Sequence, residues 1–374
     1  MSVDHNYVLY GSYASYYTAK TRSYLRKKGI PFVERLPSDP RFRNYVRPQS
    51  GSHRIPQLET PEAEVVQDST EIFDLLEGRF PEIPALPNTP RQRFIAHLME
   101  LLGSEGLVRL AWQYRWFPED NLQFVKMDFG RSFRPQGTDE ELLHYGNLIA
   151  DRMLSRGKVS FDDELLAQMQ TDYLGLLQRL EAHMQSYPFM LGGHPSAADY
   201  SLMGALHAHM GRDPVPLHLQ QMNAPRVFRW VEHMMTPEIQ SPEFAEYPIQ
   251  YAPNDEIPDT FKEVLRYLLD LYGERFLSEG QAYEAYVDQR DLQPGSMVDE
   301  EDQPMLVQEI DGKAVHFGVL NVWLLQRSLS HYAAQDAEGQ ASIVELMSEL
   351  GWAHLLGLEI SQPPTRKENR FYVG

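Results

Sequence analysis

The chain has 374 residues, 42% hydrophobic and 23% charged, with 53 acidic against 34 basic side chains and a formal charge of −19. Such a length exceeds one ordinary core and predicts two or three domains, while the acidic balance argues against a general binder of nucleic acid or anionic membrane. There is no cysteine, so disulfides, Cys-ligated metals and a protein thiol nucleophile are all excluded, and any sulfur chemistry must come from a cofactor or substrate.

Residues 7–10 (YVLY) read as a short strand. The pattern AKTRSYLRKK predicts a helix over 19–28, ended by Gly29 and Pro31. An extended piece, Phe32–Leu36, precedes a loop rich in Pro, Ser and Arg. Arg54–Thr60 and Glu64–Gln67 predict a hairpin. Asp68-Ser69-Thr70 then gives a polar start to the helix STEIFDLLEGRF, with Ile72, Leu75 and Leu76 on one face. The first 80 or so residues thus read β-α-β-β-β-α.

Past PEIPALPNTP (81–90) strand signals almost vanish, and helices are predicted over 91–115, 138–155, 162–187, 196–211 and 225–236. Ser196 with Asp199 forms an acidic capping box, and the following YSLMGALHAHM is apolar nearly all round, as in a buried central helix. A proline-rich stretch over 237–258 marks a second boundary. Beyond it come a helix over 259–277, an acidic loop over 291–304, a hairpin near 305–317 around Asp311-Gly312, and helices over 319–333 and 338–351. The run VDEED (298–302) reads as a solvated loop.

Four segments, in order, resemble the glutathione S-transferase (GST) superfamily. SYYTAKTRSYLRKKGIPF is similar to the family's first helix and its K-G-I-P exit, with Ser15, Tyr17, Lys20 and Arg22 in place and Tyr16 where proline is usual. HRIPQLET resembles the strand that holds a cis-proline, here Pro56. QDSTEIFDLLE supplies Asp68 and Ser69, and FMLGGHPSAADYSL resembles the capping box of the helical domain. The resemblance implies an α+β architecture in three parts. These are a thioredoxin-like glutathione-binding domain (1–82), an all-helical GST C-terminal domain (90–236) and a mainly helical extension (255–374).

It also implies glutathione as co-substrate, an apolar electrophile as second substrate, a homodimer and a cytoplasmic enzyme. No apolar run approaches the ~20 residues of a membrane span, and MSVDHNYVLY lacks the regions of a secretory signal. Thiolate is the reactive form of a thiol whose free pKa is about 8.5. Without cysteine, the levers are a hydroxyl donating to the sulfur and the positive end of a helix dipole. Ser15 would bring both, although serine is also a favoured N-cap, a role that needs no thiol. Tyr10, at the strand end, is its rival; Tyr13 and Thr18 are further hydroxyls.

By the same resemblance, Ile55 beside cis-Pro56 would pair with the cysteinyl unit. Asp68 and Ser69 would hold the γ-glutamyl end, and His53 and Arg54 the glycine carboxylate. Trp112, Tyr114, Trp116 and Phe117, with His209, are candidates for the second-substrate wall, against the alternative of plain core. No metal set is predicted: His207 and His209 lie on different helix faces. The absence of cysteine counts against the thiol-oxidoreductase branches, leaving conjugation, ether cleavage, dehalogenation or isomerisation. A non-catalytic ligand carrier or scaffold with the same fold is the alternative.

Overall fold

The computed structural model describes residues 6–82, 84–156, 163–298, 305–310 and 312–374. The expected acidic run, from 299 on, and Asp311 of the expected turn lie outside the described residues.

The central strand β1 (Tyr7–Tyr10) pairs in parallel with β2 (Phe32–Arg35) and antiparallel with β3 (Gln57–Glu59), which in turn pairs with β4 (Val65–Gln67). The sheet order is β2-β1-β3-β4, and Leu9 lies opposite Leu58, both fully buried. A parallel pair needs a crossover, supplied here by α1 (Tyr16–Lys27). Arg22 of α1, with no exposed surface, fastens that crossover to β2 through two hydrogen bonds to Glu34, at 2.7 and 2.5 Å. The helix starts three residues before the predicted Ala19. Ser15 caps it by accepting from the Thr18 N–H at 3.3 Å, so a local hydrogen bond adds a turn that the tyrosines conceal. A π-turn (Phe42–Val46) and the short α2 (Arg47–Ser50) follow β2, and α3 (Ser69–Arg79) follows β4. This small mixed sheet with its helices is the thioredoxin-like arrangement.

In the helical part, α4 (Pro90–Met99) runs through a π-helical stretch (Glu100–Gly106) into α5 (Val108–Trp116), where one helix was expected. Then come α6 (Glu119–Phe133), α7 (Asp139–Arg156), α8 (Asp163–His183) and α9 (Ala197–Met203), which continues as a second π-helical stretch (Gly204–His209). Finally α10 (Pro214–Asn223) and α11 (Pro225–Met234) close this part. Helices α6 and α10 were not predicted. Prolines mark both starts, Pro118 as the N-cap of α6 and Pro214 in the first turn of α10, positions where a missing N–H costs no helical hydrogen bond.

The extension begins with α12 (Asp259–Gln289), whose 31 residues outrun the expected 259–277. Gly273 does not end it. A Cβ there would sit 2.4 Å from the Trp352 ring, so the glycine serves close packing within a continuing helix. A hairpin (β5, Leu306–Ile310; β6, Lys313–Phe317), α13 (Val319–Ala333) and α14 (Ala337–Glu349) follow. The chain then forms a second hairpin, β7 (Pro364–Lys367) with β8 (Arg370–Val373). Its turn residues Glu368 and Asn369 have φ of 49° and 62°. A turn of that kind normally announces itself with glycine, and without one the hairpin escaped prediction.

One apolar cluster joins all three parts, containing Leu9 and Leu58 of the sheet, Leu98 and Leu177 of the bundle, and Phe261, Leu325 and Trp352 of the extension. A polar knot runs beside it. Lys20 of α1 donates to the fully buried Glu100 at 2.8 Å, and Arg327 of α13 grips Asp74 of α3 at 2.7 Å through each terminal nitrogen. No helix among the described residues is long and apolar enough to cross a membrane.

The capping box of α9 is fully buried. Asp199 accepts from Met190 N–H (2.9 Å), Ser196 N–H (2.8 Å) and the Ser196 hydroxyl (2.9 Å). Burial pushes this carboxyl up to about 6 against the donors, which favour its charged form. Asp199→Ala orphans three donors and is expected to cost roughly 3 kcal/mol, read as a lower urea midpoint. An unchanged midpoint would contradict a structural role for this residue.

Candidate functional site

The hydroxyls of the first loop have different fates. Tyr10 is 1% exposed and donates to Glu59 Oε2 at 3.0 Å; burial and then Glu59 push its phenol far above the usual range. Thr18 is fully buried. Tyr13 is exposed, with the Arg22 guanidinium 4.0 Å from its ring centre. Ser15 is partly exposed at the N-terminus of α1, a 12-residue helix with no acidic residue in its first turn. Its Oγ accepts from Thr18 N–H, and among the described residues its own O–H proton has no acceptor.

The loop that carries Ser15 is held from the helical part. Arg115 of α5, 1% exposed, donates to the carbonyls of Ala14 and Ala208 at 2.5 Å and to both carboxylate oxygens of Asp213, at 2.8 and 3.0 Å. Tyr16, in the place of proline, sends its hydroxyl to the carbonyls of Ser104 (2.7 Å) and Gly103 (3.2 Å) in the first π-helical stretch. Its ring lies so close to Gly204 that a Cβ there would come within 2.4 Å. Two wide helical turns thus make room for this tyrosine.

Opposite, the Ile55–Pro56 bond is cis, Pro56 is buried and Ile55 half-buried. Among the described residues the Ile55 N–H and C=O make no hydrogen bond. Asp68 N–H donates to Pro56 O at 3.3 Å, and Asp68 caps α3 by accepting from Thr70 N–H at 2.8 Å. Ser69, 5% exposed, opens the helix. Arg366 of β7 reaches this corner, with Nη1 3.3 Å from Asp68 Oδ1 and Nη2 donating to Gln67 at 3.1 Å.

His53 and Arg54 are exposed, and His53 lies 3.3 Å from Arg152 of α7. The expected second-substrate wall is not brought together as one surface. Trp116 is buried and stacks on Phe129 in a small cluster that Trp112 borders. Tyr114 packs on Tyr173 in the main core, and His209 lies edge-on to Tyr16 with a bond to Ala111 O at 3.1 Å. Positions 112 and 116 share a helix face and 114 does not, which splits the set.

Glu105 was missed in the sequence. It lies in the first π-helical stretch, 7% exposed, and receives the Tyr17 hydroxyl at 2.9 and 3.2 Å. Burial first, and Asp68 with it, push its carboxyl up to about 7 against the Tyr17 bond, Arg275 and Lys20. A carboxyl raised in the folded state holds its proton there, so stability falls as pH rises from about 4.5 toward about 7. Glu105→Gln is expected to remove up to on the order of 3 kcal/mol of that fall. Urea unfolding at pH 5 and pH 8 checks this, and an identical pH dependence in the variant would contradict it.

Residues 9–84 match the family "glutathione S-transferase, N-terminal domain", and residues 150–238 match "glutathione S-transferase, C-terminal domain". A search of curated proteins finds no match. Among solved structures, a glutathione S-transferase from Methylobacterium radiotolerans in complex with glutathione sulfonate is 20% identical, covering 67% of this chain and 97% of its own, with a TM-score of 0.36. The β-etherase LigF from a Sphingobium strain is 18% identical, covering 61% and 94%, with a TM-score of 0.42. The glutathione transferase URE2P5 from Phanerochaete chrysosporium is 15% identical, covering 72% and 97%, with a TM-score of 0.38. Residues 9–84 and 150–238 thus carry, in order along one chain, the N- and C-terminal domains of the glutathione S-transferase superfamily.

Proposed function

We propose that this protein is a glutathione transferase that activates the thiol of glutathione with Ser15 for attack on an apolar electrophile. The observation that carries the reading is the Ser15 hydroxyl. Of the four candidate hydroxyls in the first loop it alone combines partial exposure, an uncommitted proton and a helix N-terminus. A hydroxyl donating to sulfur and the positive end of a helix both favour thiolate. Arg115, by holding Ala14, would keep that hydroxyl in place.

The unpaired Ile55 peptide would receive the cysteinyl unit in antiparallel fashion. Ser69, at the start of the 11-residue α3, would meet the γ-glutamyl carboxylate and Asp68 its ammonium. His53 and Arg54 would stand near the glycine end. In the reaction the thiol proton leaves to solvent and the sulfur lone pair forms a bond to the electrophilic carbon. A displaced group departs with its bonding pair, or a double bond takes up the electrons. Without a protein cysteine the enzyme cannot form a mixed disulfide with glutathione, so conjugation, ether cleavage, dehalogenation and isomerisation are the reactions of this reading. The homodimer and the cytoplasmic setting belong to the same proposal.

The test follows the thiolate absorbance of bound glutathione against pH, in the wild type, Ser15→Ala and Tyr10→Phe. The expected thiol pKa is at least about one unit below the free value of about 8.5 in the wild type and in Tyr10→Phe. Ser15→Ala should return it to that value. Loss in Tyr10→Phe alone would move the role to the strand end. Absence of binding at millimolar glutathione would leave a scaffold that shares the fold.

A further inference from the structure

The last hairpin of the extension folds back onto the N-terminal domain. Asn369 of its turn donates to Ser50 O at 2.6 Å, and β8 is tied to residues 296–298 by Val298 N–H donating to Phe371 O and Val373 N–H donating to Ser296 O, both at 2.9 Å. The side chain this fold delivers is Arg366, 8% exposed. Its guanidinium packs beside Phe371 and Trp323, whose ring centres are 5.4 and 5.8 Å away. A buried guanidinium has five N–H donors to satisfy. Nη2 serves Gln67, while Nε and Nη1 make no hydrogen bond, Nη1 having only the 3.3 Å approach to Asp68.

Around this head lie matching vacant groups. The Ser69 hydroxyl has no hydrogen-bond partner among the described residues. Asp68 uses Oδ1 for both Thr70 N–H and Arg366, and its Oδ2 accepts no hydrogen bond among the described residues. Spare donors beside one spare carboxylate oxygen complement a carboxylate and an ammonium on neighbouring atoms, as in the head of an α-amino acid. Arginine suits the carboxylate half because its fork offers two parallel donors.

We propose that Arg366 is a binding residue of this site and takes the α-carboxylate of the γ-glutamyl unit, so that the extension completes the pocket for the amino-acid end of the tripeptide. This rests on the glutathione reading above and adds to it a residue about 300 positions from Asp68 in sequence. The extension is then part of the binding site as well as of the core.

The experiment titrates the full chain calorimetrically with glutathione and with 4-aminobutyryl-cysteinylglycine, which lacks only that carboxylate. Wild type, Arg366→Gln and Arg366→Lys are compared, with circular dichroism to verify folding. Wild type should bind glutathione about ten- to a hundredfold more tightly than the analogue. Arg366→Gln should lose that factor for glutathione and leave the analogue unchanged. Arg366→Lys, which keeps the charge beside Asp68 but not the fork, should fall between and covers the case in which the glutamine variant does not fold. Equal weakening toward both ligands would make Arg366 a structural support. Tighter glutathione binding in Arg366→Gln would make it a plug on Asp68. Either result overturns the inference while the glutathione reading stands. A wild type that binds neither ligand overturns both.

Discussion

Everything in this molecule turns on a carboxylate with no exposed surface. Glu100 sits where the three parts of the chain meet, 2.8 Å from Lys20 of the N-terminal domain and 3.7 Å from both Arg327 of the extension and His97 of its own helix. Burial pushes its pKa up, yet Lys20, His97 and Arg327 outweigh that and hold it well below the usual carboxylate range. Removing a charge from water is costly, and a buried pair is tolerable only when its partners are complete. The relative placement of sheet, bundle and extension is therefore specified by charge as well as by the shared apolar core. Lys20 also donates to Thr70 at 3.2 Å, beside the N-terminus of α3, so the same knot sets the spacing between the two helix starts that face the candidate site.

Much of the architecture is legible in the sequence because its signals are local. The strand YVLY, the cap at Asp68, the box from Ser196 to Asp199 and the succession of helices after Pro90 all rest on residues within a few positions of one another. Where local rules failed, a tertiary contact had taken over. The helix expected to end at 277 continues to Gln289, and Gly273 within it is a seat for Trp352. The proline at 214 stands where no helix was predicted and is a first-turn residue. Tyr16 looked like a departure from a family pattern. It is accommodated by two π-helical stretches, and the second lies in a segment apolar nearly all round, where periodicity carries no phase to reveal one.

The site divides in the same way. Ser15, Ile55, Pro56, Asp68 and Ser69 are found in short motifs that survive as motifs. Arg115, Glu105 and Arg366 have no such signature, because each acts across a long sequence separation: Arg115 on Ala14, Glu105 on Tyr17, Arg366 on Asp68. Charged residues buried in a chain this acidic were the only available hint, and burial cannot be read from one sequence. The aromatic run from 112 to 117 gives the converse lesson. Its composition suggests a binding wall, but helical geometry puts Trp112 and Trp116 in one cluster and Tyr114 in another.

The central claim is that the N-termini of α1 and α3 together receive one glutathione molecule. The measurement that tests it most directly is a crystal structure of the full chain grown with glutathione. The account predicts the sulfur within hydrogen-bonding reach of Ser15 Oγ, the cysteinyl backbone paired with Ile55 and the γ-glutamyl head between Asp68, Ser69 and Arg366. A tripeptide bound elsewhere, or a sulfur turned toward Tyr10, would contradict it.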